Sequence, residues 1–198
     1  MGNRNQPPGP SPITSRAPGN WDCVFSVVAI GANVYHPASV NPFVNGFRTS
    51  MRKEEYETAT HHILPRCCTL PLEGKKVRLE LYTDNGECSS CGALSPHTVS
   101  ERDGIAVVYD FTFTGSFDFA RKLVQDIIQW RTHSKKSTPF ILVGVNGAIG
   151  KSRRVESSTA QQFADQVGVP LVEVNLNLET DIEEAHTMLV TMIMNTKR

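Results

Sequence analysis

Short apolar runs alternate with longer stretches of three- and four-residue apolar spacing from Val24 onward. That alternation predicts an α/β sheet with helices on both faces. Strands are predicted at 24–31, 66–72, 77–83, 104–110, 139–145 and 169–175. Two of them, "RCCTLPL" and "VRLELYT", are separated only by "EGKK", too short for a helical crossover, which predicts an antiparallel hairpin. The other strands are free to run parallel.

The segment "SFDFARKLVQDIIQW" places Phe117, Ala120, Leu123, Val124, Ile127 and Ile128 on one helical face, with Ser116 or Thr114 expected to cap its start. "SSTAQQFADQVG" predicts a helix that opens on a serine cap and stops at Gly168. "TDIEEAHTMLVTMIM" aligns Ile182, Ala185, Leu189, Met192 and Ile193 as a core-facing stripe. No internal repeat is apparent. Residues 1–20 are rich in Pro, Gly, Ser and Asn with little to bury, and are expected to form a disordered arm ahead of one domain over 21–198.

Composition narrows the function. Twenty Lys and Arg balance twenty Asp and Glu in 198 residues, so no global charge recruits nucleic acid or an anionic membrane. Five cysteines, an odd number without a secretory leader, predict free thiols in a reduced, cytoplasmic setting. No apolar run approaches the roughly 20 residues of a membrane span. The Met-Gly start has Gln6 where a myristoylation motif wants Ser or Thr, and "NTKR" is not a prenylation box, so no stable lipid anchor is expected.

Several stretches carry a family resemblance. "GIAVVYDFTFTGSFDFARKLVQDI", "TPFILVG", "RRVESSTAQQFADQVGVPLVEV" and "DIEEAHTMLV" resemble the fourth strand through last helix of Ras-superfamily small GTPases. "EGKKVRLELYTDNGE" is similar to that family's interswitch hairpin and the start of its second switch. The resemblance covers about residues 22 to 195 and implies a Ras-like fold, a six-stranded mixed sheet with one antiparallel hairpin.

The positions that would carry GTP chemistry depart from the family pattern. The resemblance implies a loop G-x-x-x-x-G-K-S/T after the first strand, where backbone amides cradle phosphate, Lys neutralises charge and a hydroxyl holds magnesium. Gly31 matches the first glycine, but His36 stands at the second, Pro37 at the lysine and Ala38 at the hydroxyl. Proline also removes an amide donor. In the family's D-x-x-G, Gly86 takes the glycine position, Thr83 falls on the aspartate with the acid displaced to Asp84, and Glu87 replaces the water-positioning Gln. A carboxylate there repels a γ-phosphate. For N-K-x-D, which follows the fifth strand, the chain reads Val145, Asn146, Gly147 and Ala148, so alanine stands at the guanine-holding aspartate; Asn175, Leu176 and Asn177 match the S-A-K element. Thr58 and Thr60 lie near the expected first-switch threonine.

Two other motifs compete for attention. "GVNGAIGKSRR" contains Gly150, Lys151 and Ser152, but five residues separate Gly144 from Gly150 and the helix signal waits until Ser157 or Ser158, so a basic surface loop is expected. The C-x-x-C of Cys88 and Cys91, with His61 and His62 across the hairpin, offers a ligand set that tetrahedral zinc accepts, yet the spacing is not that of a recognised finger. With Cys67 and Cys68, free thiols are the expectation. Asp110 is read as a structural acceptor closing the fourth strand.

The resulting expectation is a pseudoGTPase: a protein-interaction or scaffold module with no catalytic residue, cofactor or metal. Its binding surface is expected at switch-like residues 54–70 and 84–100, including the exposed edge of the 66–72 strand. The alternatives are a divergent small GTPase that still binds GTP or GDP with slow turnover, and a zinc-stabilised interaction domain.

Overall fold

The computed structural model describes residues 20–31, 43–44, 66–84, 100–134, 137–146 and 151–198. In chain order these form β1 (Cys23–Gly31), β2 (Arg66–Leu72), β3 (Lys75–Asp84), β4 (Gly104–Asp110), α1 (Thr114–His133), β5 (Phe140–Val145), α2 (Ser157–Val167), β6 (Leu171–Val174) and α3 (Glu179–Thr196). Phe43 and Val44 are helical. The strands make one six-stranded sheet in the order β2-β3-β1-β4-β5-β6, antiparallel only between β2 and β3. The predicted Ras-like architecture is present.

Burial explains the order. Every residue of β4 and β5 is buried, as central parallel strands covered on both faces require. β3 alternates instead: Val77, Leu79 and Leu81 enter the core while Lys76 and Glu80 stay wetter. Leu81 pairs with Arg66 and Val77 with Leu70 across the hairpin, whose turn is only Glu73 and Gly74, both at positive φ (51° and 73°). Such a two-residue turn matches the twist of a hairpin, so β3 starts two residues earlier than the pattern predicted.

Two apolar layers flank the sheet. On one face, Phe25, Val27, Leu79, Leu81, Val108 and Val143 meet Ile182, Leu189 and Ile193 of α3, together with Phe43 and Val44. On the other, Ile30, Val107, Tyr109 and Leu142 meet Phe117, Val124 and Ile127 of α1 and Phe163 of α2. Helices therefore cover both faces, as expected from the stripes.

The predicted caps are a correction. The residue before α1 is Phe113 and the one before α2 is Glu156, and neither contributes a side-chain cap. Ser116 is drawn away because its Oγ accepts the Asp110 N–H at 2.8 Å. Ser157 lies inside α2 and its hydroxyl donates to Glu173 Oε2 at 2.8 Å. In both cases a tertiary acceptor or donor outcompetes the local turn. Gly168 does end α2 in a left-handed conformation, φ 68°.

Candidate functional site: the carboxyl edge of the sheet

The chain builds β2 and β3 on one side of β1 and then crosses to build β4 to β6 on the other, so the strand order reverses at β1. In open α/β sheets, ligands occupy the crevice outside the strands' carboxyl ends at such a reversal. Gly31 ends β1, buried, beside Val108 of β4, while Thr83 pairs with Ala29 and Asp84 with Ile30 at the end of β3. Parallel register thus delivers Gly31 and half-buried Thr83 to one edge.

Asp110 closes β4 at the same edge, 1% exposed. Its Oδ1 accepts the Thr112 N–H at 2.8 Å and the Thr112 hydroxyl at 2.7 Å, the structural role expected of it. Its Oδ2 is equally enclosed and has no hydrogen-bond partner among the described residues.

The exits of β5 and β6 are clamped together by Asn146. Its Nδ2 donates to Asn175 Oδ1 at 3.0 Å, and its Oδ1 accepts the Leu176 N–H at 2.8 Å. Asn175 Oδ1 also accepts from Asn177 N at 3.0 Å, and Asn175 N donates to Asp181 Oδ2 at 3.1 Å. The Asn146 carboxamide therefore ties the two loops to each other, and the Asn175 N–H ties them to the start of α3. Sequence matching located Asn146 and Asn175 separately; only the fold shows that they bond to each other.

Beside this clamp, Arg153 forks onto Glu173 of β6 with contacts of 2.7 and 2.8 Å. Its guanidinium lies 3.9 Å from the Phe111 ring centre. Tyr109, fully buried, lies across Gly144, and a Cβ built there would meet the Tyr109 hydroxyl at 2.6 Å. Burial above all, with a contribution from Glu173, pushes the Tyr109 phenol up, against an opposing pull from Arg153. A glycine inside a predicted strand was the available signal for this close approach.

Lys151 and Ser152 are neither helical nor strand, and α2 begins only at Ser157, so the Gly-Lys-Ser stretch does not open a helix. Cys68 is buried and its thiol is pushed up to about 12, chiefly by burial and secondarily by Cys67 and Glu183. Cys23, Cys67 and Cys68 are free thiols, and Arg78 donates to Cys67 Sγ at 3.0 Å. Among the described residues no cluster of three metal-ligating side chains occurs. The positions His36, Pro37, Ala38, Gly86, Glu87 and Ala148, together with Thr58, Thr60, His61, His62, Cys88 and Cys91, lie outside the described residues.

An open α/β domain with one antiparallel edge strand and a strand-order reversal at β1 is a fold of the small-GTPase class. Comparison with known families narrows the class: the model described as Ras family matches residues 43–195, and the chain belongs to the Ras family. It is 27% identical over 129 residues to "GTP-binding protein YPTM1" of Zea mays, covering 65% of this chain and 60% of that protein. It is 28% identical over 129 residues to "Ras-related protein RabF1" of Dictyostelium discoideum, covering 64% of each. The matched stretch thus spans under two thirds of either relative. Among the described residues no helix is long and apolar enough to cross a membrane.

Proposed function

We propose that this Ras-family domain is a protein-interaction module without effective GTP hydrolysis. The observation that carries the reading lies in the sequence: on the family resemblance, Pro37, Ala38, Thr83 and Ala148 stand where a phosphate-neutralising lysine, a metal-binding hydroxyl, a metal-side aspartate and a base-holding aspartate would. Among the described residues, the ends of β1 and β3 lie side by side and Asn146 follows β5 at the same edge, which supports the reading for Thr83. A charge-assisted hydrogen bond contributes about 1.5 to 3 kcal/mol. Losing the lysine, metal and base contacts together costs well over ~4 kcal/mol, or about three decades of affinity.

β2 supports the interaction role. It is an edge strand, and an edge offers backbone donors and acceptors that a partner strand can pair. The partner surface on this reading comprises residues 54–70 and 84–100, in a cytoplasmic protein.

A second reading, a divergent GTPase with slow turnover, is favoured by the name of the maize relative, a GTP-binding protein. The two separate in one experiment. Natively purified protein is denatured and the supernatant run on an anion-exchange column. The interaction reading expects no guanine nucleotide; stoichiometric GDP or GTP refutes it and establishes the second.

A further inference from the structure

Ser157 supplies a hydroxyl to the Arg153–Glu173 cluster. It is exposed, begins α2, and donates to Glu173 Oε2 at 2.8 Å, the same oxygen that takes Arg153 Nη2 at 2.8 Å. The six residues before it, 151–156, are neither helix nor strand. Within that run Arg154, three positions ahead of Ser157, is exposed, and its guanidinium has no ion pair or hydrogen bond among the described residues. Ser158 and Thr159 are exposed as well, but three positions ahead of them stand Val155, which is buried, and Glu156, an anion.

We propose that Ser157 is a phosphorylation site for a serine kinase whose acidic substrate groove receives Arg154. Ser157 Oγ forms a bond to the γ-phosphorus of ATP as the bond from that phosphorus to the β,γ-bridging oxygen breaks. ADP leaves with the bridging oxygen, and the serine proton passes to the kinase's base. The consequence follows from the cluster. A phosphoserine brings about −1.5 to −2 of charge and turns the serine O–H into an ester oxygen, so the hydroxyl's bond to Glu173 is lost and two anions face each other. Arg153 bonds the same Glu173 oxygen as Ser157, so the phosphate competes for the guanidinium and draws it from Glu173.

What Arg153 fastens is the strap ahead of α2. Arg153 Nη1 also donates to Val155 O at 3.0 Å, and the strap's Arg154 and Val155 N–H groups share one acceptor, Phe111 O, at 2.8 and 3.0 Å. Phosphorylation therefore loosens the strap from the end of β4.

The test uses the full chain with the catalytic subunit of cyclic-AMP-dependent protein kinase and magnesium ATP, read by peptide mass spectrometry. One phosphate is expected, on Ser157, with Ser157→Ala abolishing it and Ser158→Ala leaving it. Arg154→Ala should lower kcat/KM at least tenfold while melting as the wild type does. Amide exchange at Arg154 and Val155 should accelerate severalfold in the phosphoprotein. Ser134 is an internal competitor: Arg131 also stands three residues before it, but that arginine is bonded to Ser137 Oγ at 2.8 Å. Phosphate found on Ser134 or not at all, undiminished phosphorylation of Arg154→Ala, or unchanged exchange in the strap overturns the proposal.

Discussion

His186 should make this fold acid-sensitive through a single buried ring. It lies in α3 at 1% exposure, stacked on Phe43 with centroids 4.5 Å apart and planes 15° apart. Its Nδ1 is 2.7 Å from Ile182 O, so the carbonyl holds the one proton of a neutral ring. A second proton must charge the imidazole inside an apolar layer. Burial accordingly depresses its pKa from 6.5 to about 4, and the Ile182 carbonyl only partly offsets it. The folded state thus binds this proton more weakly than the unfolded state. Stability is full above pH 6.5, falls as pH drops through the window between the two values, and stops changing below about 4. At about 1.4 kcal/mol per unit, the whole window is worth about 3 kcal/mol, and about 2 kcal/mol is lost by about pH 5.

The assay is urea unfolding of the wild type and of His186→Leu at a series of pH values. Leucine keeps an apolar body in the layer and cannot titrate, and the subtraction removes groups that titrate alike in both proteins. The stability difference, wild type minus variant, should fall by about 2 kcal/mol between about pH 7.5 and pH 5. Parallel curves across that range would show that the ring is already charged in the fold, or that it is hydrated, and would refute the reasoning.

Two further substitutions probe the carboxyl edge. Gly144→Ala places a methyl 2.6 Å from the Tyr109 hydroxyl, backed by a fully buried ring, and should destabilise by about 1 to 3 kcal/mol in thermal or urea unfolding; pairing it with Tyr109→Phe should recover part of the loss. Asn146→Ala removes the bonds to Asn175 and Leu176 and should cost about 1 to 3 kcal/mol, with faster amide exchange at Leu176; exchange unchanged at Leu176 would show that the loops do not depend on the clamp.

Much of this protein is determined by local sequence alone. Continuous apolar runs such as "GIAVVYD" and "FILVG" can lie only in a sheet covered on both faces, so β4 and β5 were legible almost to the residue. The helical stripes of α1 and α3 were legible for the same reason, since periodicity is a local property. The short link between β2 and β3 forced their pairing to be antiparallel. What the sequence could not settle is which polar group meets which. Ser116 reads as a helix cap and instead receives the Asp110 N–H; Ser157 reads as a cap and instead bonds to Glu173, sixteen residues on. His186 falls within a stripe that reads as purely aliphatic, and only its stacking on Phe43 makes it a buried base. Asn146 and Asn175 are separate motif remnants along the chain, but the parallel register of β5 and β6, with Val145 beside Val174, puts their side chains in bonding range. Hydrophobic burial needs only the right kind of residue at the right period, which a sequence displays, whereas a hydrogen bond needs two particular atoms about 3 Å apart, which only the assembled chain provides.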